Sequence, residues 1–233
     1  MAGTEVMVKC PDGQFMAYLA RPTGSAKVGG VVVAQEIFGV NGAMRTICDR
    51  LAAQGLVALC PDLFWRQERN VRLTDRTQAE WDHAFKLFQG FNLEKGVADL
   101  AVSIAHLRAD EGCNGLVGGV GYCLGGLLAY LMASRTNVDC AVGYYGVNID
   151  AMLAEAKRIQ SPLMLQVAEE DHFVPKEAQA KIRDGLKSNA NVTIHSYAGV
   201  DHAFARPDGQ KFDHAAADLA DRRTLAFFKQ HLS

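Results

Sequence analysis

Long apolar runs are missing from this chain. The most hydrophobic segments, VGGVVVA and GLVGGVG, are seven residues each, about a third of what a helix needs to span a bilayer. The opening stretch, MAGTEVMVKCPDGQ, has no charged segment followed by an apolar core, so no secretory signal is expected. An excess of one charge sign is also missing. Lys and Arg number 24 against 26 Asp and Glu, the formal net charge is -2, and the basic residues are scattered. Neither nucleic acid nor an anionic membrane surface is expected as a partner. The six cysteines (Cys10, Cys48, Cys60, Cys113, Cys123 and Cys140) form no C-x-x-C pair. With no signal, they read as reduced thiols in a cytoplasmic protein. No H-x-x-H or H-E-x-x-H spacing occurs among the seven histidines, so no metal is expected. Repeats, low-complexity tracts and charged linkers are lacking too, and residues 1–233 read as one domain, expected to act as a monomer.

What the chain does have is apolar content, 49% of 233 residues, ample for a buried core. Residues 5–20 read as two strands around Asp12-Gly13, a strong hairpin signal. Short, nearly continuous β-branched runs follow at 28–36, 55–63, 115–122, 138–146, 162–170 and 191–199. Such runs suit strands covered on both faces. Helical periodicity falls between them, at 42–53, 75–90, 93–109, 125–135, 176–188 and 213–231. The alternation predicts an α/β fold with a mostly parallel central sheet flanked by helices and an antiparallel N-terminal hairpin at one edge. Functional residues in such sheets gather beyond the carboxyl ends of the strands.

At the end of the 115–122 strand, Gly121-Tyr122-Cys123-Leu124-Gly125 reads G-x-C-x-G and opens a predicted helix. This is the pattern of the G-x-S-x-G nucleophile elbow with sulfur in place of the hydroxyl oxygen. The glycines have a steric reason, since the chain turns back so close to itself that a Cβ would collide with backbone. The Leu124 amide, at the helix start, would face developing negative charge as half of an oxyanion hole. The same helix end would favour a thiolate. A buried structural cysteine in a glycine-rich turn is the plainer reading, and partner residues decide between the two.

An elbow nucleophile needs an acid and then a histidine, in that order along the chain. His83, His106, His195, His214 and His231 fall inside predicted elements, and His172 comes ahead of the place that order gives the base. His202, in AGVDHAFAR, lies in the loop between the last strand and the final helix, at the right end of the sheet. Asp171, in VAEEDHFVP, lies furthest into its loop and is preferred over Glu169 and Glu170. A helix cap for Asp171 and a surface position for His202 are the alternatives; their joint placement with Cys123 is much harder to obtain by chance. Glu36 ends the 28–36 strand, and the Ile37 amide after it is the natural second oxyanion donor. A carboxylate close to the sulfur would oppose its ionisation.

Taken together, AQEIFGVN, CPDLF, GYCLGG, AVGYYGV, DHFVP and H-x-FAR resemble the signatures of the dienelactone hydrolase (carboxymethylenebutenolidase) family, in order along nearly the whole chain. The resemblance implies an α/β-hydrolase fold, no cofactor, and a Cys123-His202-Asp171 triad. It further implies Glu36 as the residue controlling the charge of the thiol and Arg206 as an anchor for a substrate carboxylate. Two positions depart from the family pattern. Trp81 stands where members that take dienelactone carry a second arginine, and Phe85 lacks the hydroxyl a tyrosine would supply there. Losing a guanidinium removes a bidentate carboxylate contact, and Trp81 could instead build an apolar wall.

The expected activity is hydrolysis of a small lactone or activated ester, carboxylated as in the family, through a thioester on Cys123. A generalist carboxylesterase or thioesterase is the nearest alternative, favoured by Trp81. A non-catalytic relative that binds a metabolite or senses oxidants through Cys123 is the other, and an intact His202 and Asp171 argue against it.

Overall fold

The protein is described by a computed structural model covering residues 3–233. Its elements follow in the order β1 Thr4–Cys10, β2 Gly13–Ala20, β3 Val28–Ala34, α1 Gly42–Ala53, β4 Val57–Pro61, α2 Gln78–Gln89, α3 Leu93–Arg108, β5 Cys113–Tyr122 and α4 Leu124–Arg135. Then come β6 Cys140–Tyr144, a 3₁₀ segment Ile149–Arg158, β7 Leu163–Ala168, α5 Lys176–Leu186, β8 Val192–Tyr197 and α6 His214–His231. The eight strands form one sheet in the order β1-β2-β4-β3-β5-β6-β7-β8. The β1–β2 hairpin and the β2–β4 pair are antiparallel, and every other neighbouring pair is parallel.

Burial follows from this topology. β3, β4 and β6 are buried along almost their whole length, whereas the edge strands β1 and β8 alternate with exposed positions. Helices cover the sheet: α1 packs on β2 and β4, α6 on β5 and β6, and α3 and α4 pack on each other and on the sheet's centre. Among the described residues no helix is long and apolar enough to cross a membrane.

Four helices begin on a side-chain cap: Asn41, Thr77, Asn92 and Asp213 each accept a hydrogen bond from a first-turn amide. At α2 the cap is reciprocal, with Thr77 and Glu80 bonded to each other in a capping box. The central helix α4 differs. Its cap is Cys123, which makes no such bond, so its first amides are left to serve another group.

Every predicted strand and helix is present, most with trimmed ends, while β5 begins two residues earlier than expected. Strands stop where the chain enters the left-handed region, at Tyr145 after β6 and Gly199 after β8. The 3₁₀ segment was not expected. Met152 breaks its helical geometry, so the segment is not one continuous helix.

Candidate active site

Parallel pairing brings the strand ends to one rim. Ala34 of β3 pairs with Gly121 of β5, which places Glu36 and Cys123 each two residues beyond the paired positions. Tyr122 pairs with Tyr144, and Ala168 of β7 with Tyr197 of β8, so the loops bearing Asp171 and His202 leave the same edge.

The turn at Cys123 is as sharp as its glycines suggest. Cys123 has φ 57° and ψ −115°, a conformation that costs a non-glycine residue about 1–3 kcal/mol. A Cβ on Gly121 would run into the Gly125 carbonyl, and one on Gly125 into the Ala34 carbonyl. The start of α4 is thereby pressed against the end of β3.

His202 Nδ1 meets both oxygens of Asp171, at 3.0 and 2.9 Å, and both side chains are buried. Asp171 Oδ1 also accepts the Phe173 and Val174 amides, which fixes the carboxylate in its turn. Glu170, by contrast, points out to Lys176. The other imidazole nitrogen, Nε2, is buried and makes no formed hydrogen bond. Cys123 and His202 line one cavity. Burial alone would lower the His202 pKa, but the Cys123 sulfur and the Asp171 carboxylate more than reverse that and push it up to about 10. The sulfur thus acts on the ring by proximity, with no hydrogen bond to Nε2 formed.

The cavity measures about 120 Å³ and its wall is aromatic. Trp81 and Phe85, one turn apart on α2, stack at 5.5 Å; Phe38 meets Trp81 edge-on at 5.0 Å; Phe173 meets His202 at 4.8 Å. A larger cavity of about 550 Å³ between α1 and α6 contains neither Cys123 nor His202.

Comparison with known proteins bears on this geometry. The family model described as "Dienelactone hydrolase family" matches residues 15–232. A protein of Azospirillum brasilense provisionally named a carboxymethylenebutenolidase is 48% identical over 231 residues, covering 95% of each chain. Carboxymethylenebutenolidase 1 of Cupriavidus pinatubonensis is 41% identical over 214 residues, 91% of this chain and 90% of its own. A crystal structure of a provisionally named dienelactone hydrolase from Klebsiella pneumoniae superposes with a TM-score of 0.87 at 25% identity, covering 98% of both chains. The chain belongs to the dienelactone hydrolase family.

As a member of that family the protein is a hydrolase with the α/β-hydrolase fold, and lactones and esters are the substrates its membership supports. Arg206, which the resemblance implies as an anchor for a substrate carboxylate, is paired with two protein carboxylates. It donates from Nε to Glu36 Oε2 at 2.5 Å and from Nη1 to Asp75 Oδ2 at 2.7 Å, and its plane lies 4.8 Å over Phe38. All three members of this chain of charges are buried. The second Glu36 oxygen, Oε1, is buried without a partner.

Three residues near the site escaped the sequence reading. Asp75 lies 131 positions from Arg206, and no local pattern marks it. Tyr145, at φ 38°, sets its ring 4.9 Å from His202 and buries an unpartnered hydroxyl. Asp201 accepts the His202 amide at 2.6 Å and His172 Nδ1 at 2.7 Å, tying the loops that carry Asp171 and His202 together. Burial would raise the Asp201 carboxyl, but His172 and the two amides hold it well below the ordinary carboxylate range. Its place beside His202 was the one available signal. Asp171, His172 and Asp201 bring ligand atoms within 4.8 Å of one another, and each is already hydrogen-bonded to protein.

Proposed function

We propose that this protein cleaves a lactone or activated ester by nucleophilic attack of the Cys123 sulfur. The S–C bond forms as the carbonyl oxygen gains charge between the Leu124 and Ile37 amides. His202, held by Asp171, takes the Cys123 thiol proton and gives it to the departing oxygen as the carbonyl C–O bond breaks, and a thioester results. Water then attacks the thioester carbonyl while His202 takes its proton. The acid is released, and the sulfur and the imidazole return to their starting state. A good leaving group, such as an enol oxygen, suits a route that must both form and hydrolyse a thioester.

The observation that carries this reading is the His202 ring. One nitrogen is fixed by a buried carboxylate, and the other, unpartnered, lies in the cavity that also holds a strained elbow cysteine. Glu36 has a further role in the scheme. Its unpartnered Oε1 supports a resting state in which that carboxylate opposes charge on the sulfur until substrate disturbs it.

The test is Cys123→Ala assayed on activated aryl esters and enol lactones, with mass spectrometry of the wild-type enzyme quenched during turnover. The variant should lose at least about 10³-fold in kcat, and the wild type should carry an acyl mass on the peptide containing Cys123. Full activity in the variant would remove the nucleophile.

A further inference from the structure

We infer that this site selects uncharged, single-ring or similarly flat esters and lactones over carboxylated ones, and that Asp75 sets the choice by keeping the Arg206 guanidinium occupied. The inference rests on the hydrolase reading above and names its substrate class.

Charge is the first argument. Arg206 is the one Lys or Arg among the described residues lining the cavity. Two of its three nitrogens are already committed, Nε to Glu36 and Nη1 to Asp75. The formal charge of the three is −1, so the guanidinium that an arriving carboxylate meets in the cavity is already paired with two carboxylates outside its lining. Breaking a buried pair to free a guanidinium leaves an uncompensated charge behind. An anionic substrate must therefore overcome a cost that a neutral one does not meet.

The hold on Arg206 is built into the loop. Asp75 Oδ2 also accepts the Gln210 amide at 3.2 Å, and its carbonyl accepts Gln210 Nε2 at 2.8 Å. The same carbonyl accepts the indole N–H of Trp81 at 3.0 Å. One residue thus neutralises the cation with its side chain and orients an aromatic wall with its backbone. The loss of an arginine at position 81 and the capture of Arg206 are joined at a single loop position.

Shape completes the case. Phe38, Trp81, Phe85, Phe88 and Phe173 supply five rings around a cavity of about 120 Å³. An apolar cavity of ~150 Å³ admits benzene. The Trp81–Phe85 pair is stacked, with planes 29° apart, a surface that suits a flat group lying along it.

The test uses two isosteric esters that differ only in charge, 4-carbamoylphenyl acetate and 4-carboxyphenyl acetate. The wild type should prefer the carbamoyl ester by about tenfold or more in kcat/KM, chiefly through KM. Asp75→Asn keeps the shape and loosens Nη1; the preference should shrink about tenfold as KM for the carboxylated ester falls. Should that variant not fold, Trp81→Leu gives an independent arm: its KM for phenyl acetate should rise relative to that for a thioester with no ring. Equal or better use of the carboxylated ester by wild type overturns the inference and leaves the hydrolase reading standing. A folded Asp75→Asn with an unmoved ratio removes Asp75 from it. No turnover of either ester, nor of phenyl acetate, would take away the hydrolase reading and the inference with it.

Discussion

At the scale of single residues, the buried carboxylate of Glu36 is the part of the site with the clearest unspent capacity. One oxygen binds Arg206 and the other has no donor, although a buried polar atom left unpaired is costly. A thiol or a substrate hydroxyl brought alongside would satisfy it. If Glu36 restrains the sulfur's charge, Glu36→Gln should raise the rate of Cys123 alkylation by iodoacetamide at pH 7 about tenfold, measured by labelled-peptide counting. An unchanged rate would remove the restraint and leave Glu36 as a partner of Arg206 alone. Cys123, His202, Asp171 and Glu36 could be picked out from the sequence because each sits where an apolar run stops, and strand ends are where function collects. Asp75 and Tyr145 could not. The first acts across 131 residues through a hydrogen bond, and the second lies inside the apolar run 138–146, where nothing in the sequence marks its φ of 38°.

At the scale of elements, α4 and β3 decide whether the corner exists. Strand and helix runs were legible because the inner strands are buried on both faces and the helices between them bury one face, so apolar runs and helical periodicity alternate along the chain. Strand ends were overextended because backbone geometry, which composition does not encode, closes them at Tyr145 and Gly199. The contact between α4 and β3 is different again: the G-x-C-x-G spacing announced it, and its tightness depends on Gly125 lying against the Ala34 and Gln35 carbonyls. Gly125→Ala must therefore push α4 off β3. We expect a loss of roughly 1–3 kcal/mol, read as a Tm lower by about 2–12 °C for a chain of this size. Activity should fall further than stability, because the displaced segment carries the Leu124 amide. A variant with wild-type Tm and kcat would mean that the helix is free to shift and that the close approach is not needed.

At the scale of the whole molecule, folding gathers Asp171, His202 and Cys123 from separate parts of the chain into a dry rim, and the cost and gain of doing so should be visible in the pH dependence of stability. Held by Asp171 and close to the sulfur, His202 has its pKa raised from 6.5 to about 10. A base whose folded pKa exceeds its unfolded one binds its proton more tightly in the native state. Its contribution is fully present below about pH 6.5 and is lost as pH rises through about 10. Other groups titrate in the same direction. Burial raises the Cys48 and Cys140 thiols and the Tyr122, Tyr144 and Tyr145 hydroxyls, all of which weaken the fold in alkali. The wild-type curve alone thus cannot isolate the histidine, but its difference from His202→Asn can, because those thiols and hydroxyls are common to both proteins. Urea unfolding of the two at intervals from pH 6 to pH 10.5 should show the wild type's advantage shrinking steadily across that window. Parallel curves would mean that the imidazole gains no proton affinity on folding.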